Sequence, residues 1–166
     1  SKAFINACMA HGYDFTEDQN HPESTGVGMK PLNNVDGVRM SAALTYLTMS
    51  RHRMNLTIRG DVLVRKVIFE GEQAVGVEAE IQGEIFNLNA EEVILCGGAI
   101  NSPQLLMLSG IGPENHLDEF GIPIVQDLPG VGKNLRDHPS AFLLFESYMD
   151  QVGEDPKAQQ VGMRFT

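Results

Sequence analysis

Apolar residues along this chain fall into blocks of two different periods. Ala3, Phe4, Ala7, Cys8 and Ala10 recur at helical spacing and Gly12 follows, which predicts a helix over 2–11 closed by a glycine cap. From Tyr13 to Gly37 no period is sustained. Asp, Asn, Gly, Pro and Ser dominate there, so the stretch reads as an irregular loop, and a loop of such length in a compact domain is usually functional or supported by partners. Ser41 then opens a second helical run through Ala42, Ala43, Leu44, Tyr46 and Leu47, which ends near Arg51, His52 and Arg53.

Beyond Met54 the period becomes two. The alternation predicts strands over 55–58, 62–69, 74–81 and 84–88, with turns at Gly71 and Gly83. Together they form an antiparallel meander with Glu and Gln on the wet face. Val93, Ile94 and Leu95 are continuously apolar, as suits a parallel strand covered on both faces, and this makes Cys96 a small core residue. Gly97 and Gly98 lead from it into a helix that ends at Gly110. Asn101 or Ser102 is the expected cap and Pro103 the expected first-turn residue. Pro113 starts a short helix through Phe120 that Gly121 closes. Residues 122–125 are extended, 128–139 are punctuated by Gly and Pro, 141–148 return to strand, and 149–160 form a polar loop.

A meander followed by strand, glycines and helix is the second half of a dinucleotide-binding domain, of class α/β. In such sheets the strand-to-helix turn faces the crevice where nucleotides lie, and the helix start exposes unpaired backbone N–H groups. No G-x-G-x-x-G stands at a strand–helix junction with an acidic residue about 20 positions on. Gly26-Val27-Gly28 comes nearest, but it lies in the irregular loop without a third glycine.

Composition narrows the classes. With 42% hydrophobic and 20% charged residues over 166 positions, the chain is globular and long enough to bury roughly 70% of its unfolded surface. A formal net charge of −10 with scattered Lys and Arg argues against a nucleic-acid partner. No apolar run approaches the ~20 residues of a membrane span. Cys8 and Cys96 lie far apart, which fits a reducing compartment, and a cytoplasmic location is the expectation. The chain opens without Met inside what reads as a helix, as a fragment would.

The string Gly98-Ala99-Ile100-Asn101-Ser102-Pro103-Gln104-Leu105-Leu106-Met107-Leu108-Ser109-Gly110-Ile111-Gly112 resembles the second signature of the glucose–methanol–choline (GMC) flavin oxidoreductases at every fixed position. Three further segments are similar to that family in the same order. They are Asp36-Gly37-Val38-Arg39-Met40-Ser41-Ala42-Ala43, then Asn55-Leu56-Thr57-Ile58 with Leu63-Val64-Arg65-Lys66-Val67, then Leu128 through His138. The wording is nearest to the choline-dehydrogenase-like branch. The resemblance implies a central piece (1–166) of the FAD-binding region, a partial Rossmann-like domain with part of the substrate-domain region. Residues 13–53 would form a loop and helix toward the substrate, 54–112 the meander with the glycine–helix unit, and 113–166 a connecting segment.

It further implies an FAD enzyme that oxidises a small alcohol by hydride transfer. Val64 would hold the adenine through its backbone, and Gly97, Gly98 and Ala99 would lie against the adenosine and diphosphate side. The family's glycine-rich βαβ unit has no counterpart here, and its catalytic histidine would lie beyond Thr166, so no catalytic residue is assigned. The alternative from another class is a non-catalytic nucleotide-binding or interaction module.

Other candidates read as structural. His138 sits between Asp137 and Pro139 at a turn. His11, His21, His52 and His116 share no metal-ligand spacing, so no metal is expected. Ser102 lacks the flanking glycines of a nucleophile elbow, since Ile100 and Gln104 stand there. Glu91 and Glu92 are neighbours in an extended segment, point to opposite faces, and read as a solvated strand entry.

Overall fold

The computed structural model describes residues 2–141, 143 and 161–164. The chain divides into two compact units, one of Ser1–Thr57 with Leu143–Thr166 and one of Ile58–Phe142. The strand expected over 141–148 and the loop over 149–160 fall almost wholly outside the described residues.

The first unit begins with helix α1 (Lys2–Ala10). Its end is a Schellman motif: the Tyr13 N–H donates to Cys8 C=O at 3.1 Å and the Gly12 N–H to Met9 C=O at 3.0 Å. The stretch read as irregular holds more order than its composition suggests. Strand β1 (Gly26–Met29) pairs antiparallel with β9 (Val161–Arg164), and Phe15 bridges Val27 in parallel on the other side. A Cβ on Gly26 would lie 2.2 Å from Asp14 C=O, and one on Gly28 2.1 Å from Thr16 C=O. The Gly-Val-Gly run is therefore a backbone-packing device, and Val27 between the two glycines is fully buried.

Strands β2 (Asn34–Val35) and β3 (Val38–Arg39) form a hairpin whose central residues, Asp36 and Gly37, both have positive φ (50° and 82°). Asp-Gly between Val35 and Val38 is a strong short-range hairpin signal. The helix that follows runs as a π-helical turn (Ala43–Leu47) into α2 (Thr48–Ser50). The Thr48 hydroxyl donates to Ala43 C=O at 2.8 Å, as does the Thr48 N–H, which accounts for the widened turn.

In the second unit the meander is present as β4 (Leu63–Glu70), β5 (Gln73–Ile81) and β6 (Glu84–Asn89), with β5 central. Val64, Ala79 and Phe86 share one cross-strand row, and Val67, Val77 and Leu88 another. Ala79 and Val67 are buried. A β-bulge falls between Val64 and Lys66, leaving Arg65 without an opposite residue. Arg65 reaches Glu78 at 3.5 Å and Glu80 at 2.5 Å, and Lys66 reaches Glu78 at 3.3 Å, so the polar face is laced by ion pairs as its Glu content implies.

Two expected strands are absent. Residues 55–58 and 93–95 pair with no strand among the described residues, and Ile94 is 75% exposed. Cys96 is likewise exposed rather than in a core. An apolar run becomes a parallel strand only when a neighbour takes up its backbone groups, and no described segment lies alongside either one.

Helix α3 (Gly98–Leu108) follows, then β7 (Ile111–Gly112), α4 (Glu114–Glu119) and β8 (Gln126–Asp127). The extended segment expected at 122–125 thus forms its ladder slightly later, where β8 pairs parallel with β7. Helix α4 ends in a second Schellman motif, with Ile122 N–H on Leu117 C=O and Gly121 N–H on Asp118 C=O, both at 3.0 Å. Leu117 between these elements is fully buried.

Candidate functional site

The start of α3 is built differently from the expected cap. Gly97 occupies the N-cap position without any side-chain cap, and Gly98 is the first helical residue at φ +78°. Asn101 and Ser102 therefore lie inside the first turns rather than capping them. Pro103 sits in the helix interior, where its missing N–H removes the bond that Ala99 C=O would otherwise receive. The helix entry thus offers N–H groups that no side chain caps.

The three small residues here have distinct reasons to be small. A Cβ on Gly97 would lie 3.1 Å from Asn101 Cβ and Ser102 N, so the helix's own first turn crowds it. Gly98 has nothing within 4 Å of such a position, and its backbone conformation alone demands glycine. The surface over Gly98 is open. Ala99 and Pro103 line an open cavity of ≈ 350 Å³ together with Gly132, Lys133, Asn134, Leu135 and Arg136. Lys133 and Arg136 give this cavity two cations among its lining residues, and neither carries a signal at the level of single residues. Their segment matched a family pattern without an assigned role, and only the fold brings it to Ala99.

Val64 lies elsewhere in the same unit, on the edge strand β4, beside the Arg65 bulge and 37% exposed. An edge strand keeps one row of N–H and C=O groups free of its sheet neighbour. One such N–H, that of Val67, is taken by the Ser109 hydroxyl at 2.8 Å. Ser109 Oγ in turn donates to Leu105 C=O at 2.6 Å. Ser109 is 7% exposed, and this hydroxyl ties β4 to the C-terminal end of α3, whereas Gly97, Gly98 and Ala99 stand at its other end.

Downstream, the Gly-Ile-Gly after Ser109 serves packing. A Cβ on Gly110 would lie 2.4 Å from Pro123 C=O, and one on Gly112 2.8 Å from Met107 Cγ. A Cβ on Gly132 would approach Met107 Cε at 3.2 Å, so Met107 braces the cavity segment against the helix. Among the described residues His138 makes local backbone contacts, its N–H donating to Asp137 Oδ1 at 2.7 Å and its C=O accepting from the Ser140 hydroxyl at 3.4 Å. Glu91 and Glu92 are exposed. Among the described residues no cluster of His, Cys, Asp or Glu suits a metal, and no helix is long and apolar enough to cross a membrane.

Residues 1–140 match the family model described as GMC oxidoreductase. The chain belongs to the GMC oxidoreductase family. Among curated GMC-related proteins, it is 48% identical over 142 residues to the mitochondrial choline dehydrogenase of Homo sapiens, covering 85% of this chain and 24% of that protein. It is 42% identical over 145 residues to the oxygen-dependent choline dehydrogenase of Photobacterium profundum, covering 87% and 26%. The chain therefore spans about a quarter of the length of the curated relatives it matches. Of solved structures, pyridoxine 4-oxidase from Mesorbium loti superposes with a TM-score of 0.72 at 39% identity, over 77% of this chain and 25% of that one. An FAD-dependent oxidoreductase from Chaetomium thermophilum superposes at 0.71 with 32% identity, over 78% and 23%. The α/β fold read from the sequence is the fold of GMC oxidoreductases.

Proposed function

We propose that this chain supplies the adenosine side of the FAD site in a choline-dehydrogenase-like GMC oxidoreductase that acts on the CH–OH group of a small alcohol. The carrying observation is the uncapped glycine entry of α3, open above Gly98 and flanked by the cavity that Ala99 shares with Lys133 and Arg136. These residues fit a nucleotide diphosphate: the helix entry offers N–H donors to phosphate oxygens, and the two cations offset their charge. Val64 holds the adenine edge through one peptide N–H and one C=O, for which no special side chain is needed. Gly97 and Gly98 keep side chains out of the way of that approach.

FAD, when bound, accepts the hydride taken from the alcohol carbon. The groups that orient the alcohol and take its proton are assigned to parts of a longer polypeptide. In this reading residues 13–53 stand toward the substrate, 54–112 carry the cofactor contacts, and 113–166 connect onward. The free thiols Cys8 and Cys96 support a reducing, cytoplasmic setting.

Reading the coding sequence on either side tests the proposal. The expected result is a glycine-rich βαβ unit upstream and a histidine-bearing segment downstream. A reading frame that starts and stops at the present ends overturns the enzyme assignment.

A further inference from the structure

We infer that Ser109 is a positioning residue for adenine recognition, acting through β4; this rests on the adenosine-side reading of Val64. Three observations carry it. The Ser109 hydroxyl is buried and uses both its capacities, accepting from the Val67 N–H at 2.8 Å and donating to Leu105 C=O at 2.6 Å. The Val67 N–H it holds lies on the edge of β4 that faces away from β5, where no further strand pairs with it among the described residues. Between Val67 and Val64 lie Lys66, paired with Glu78, and the bulged Arg65, a feature that bends a strand and re-aims the residues beside it.

The direction in which Val64 presents its peptide groups is therefore set from two sides, by the β5 ladder on one edge of β4 and by Ser109 on the other. Leu105 C=O is held by the same oxygen, so the last turn of α3 and the strand edge are locked in one register. Without the hydroxyl, Val67 loses its acceptor and the edge strand its fixed point against the helix. The diphosphate end of the site, at the far end of α3, keeps its cations and its open glycine.

The two ends of the site thus respond differently, and base selectivity reports the difference. ADP and inosine 5′-diphosphate share the sugar and diphosphate, but their purines present donor and acceptor in opposite order along the pairing edge. The test is a chemical-shift titration of the full chain with each nucleotide, a method that registers weak binding. The unaltered chain is expected to prefer ADP. Ser109→Ala is expected to reduce that preference about five- to tenfold while leaving the inosine diphosphate affinity unchanged, the size of one lost hydrogen bond. Ser109→Thr, which keeps the hydroxyl, restores the preference.

Leu117→Val is the control. It loosens the same unit by packing alone and is expected to retain the full preference, so a general loss of stability is told apart from lost positioning. Amide dispersion in each spectrum verifies that the variants are folded. An unchanged ADP preference in folded Ser109→Ala overturns the inference and leaves the reading of Val64 standing. Equal loss in Leu117→Val also overturns it. A wild-type chain without any preference for ADP overturns both.

Discussion

At the scale of single residues, the glycines of this chain divide by what surrounds them. Gly98 is open on its Cβ side and strained for any other residue, whereas Gly110 is walled by Pro123 C=O and Val125. Gly110→Ala should therefore destabilise the second unit by at least about 2 kcal/mol, through both its φ of +88° and the 2.4 Å approach. Gly130→Ala, with nothing nearby, should stay within about 0.5 kcal/mol. Urea unfolding of both variants checks the pair, and equal midpoints would refute the distinction. The glycine turn into α3 was legible because paired glycines between an apolar run and a helical period mark a turn locally. Ser109 and the pair Lys133 and Arg136 were not. A buried hydroxyl and an exposed cation carry no periodic signal, and their partners lie far away in sequence.

Among the elements, the meander was read nearly residue for residue because alternation and turn glycines act locally. The hairpin at Asp36-Gly37 was equally local, but its strands of two residues are too short to show alternation. Strand β1 escaped because its partner β9 lies more than a hundred positions away and glycine supplies half its residues. The runs at 55–58 and 93–95 failed in the opposite sense. Their β-forming side chains satisfy the local rule, but a ladder needs a neighbour, and packing overrides propensity. Hydrogen exchange makes this measurable. Amides 93–95 should exchange about a thousandfold faster than those of 75–80 in the central strand β5, whose groups are bonded on both sides. Equal protection would show that 93–95 has found a partner.

For the whole molecule, the apolar budget is thin. Among the described residues the buried hydrophobics are Ile5, Val27, Val67, Ala79 and Leu117, while Ile94, Ile100 and Phe120 each expose more than two thirds of their surface. The proposed nucleotide site, assembled from so little core, would be held loosely and carry a large ordering cost on binding. The chain alone should therefore leave purification with little or no FAD. An absorbance spectrum settles the point, and a stoichiometric flavin band would contradict it. The pairing of β1 with β9 also sets an order in time. The second unit is contiguous and can close once residue 142 has emerged from the ribosome. The first cannot, because Val27 waits for Met163. At ordinary synthesis rates that leaves β1 with a bare edge for roughly 7 to 30 s, an interval in which a chaperone has the better claim on it than its own chain.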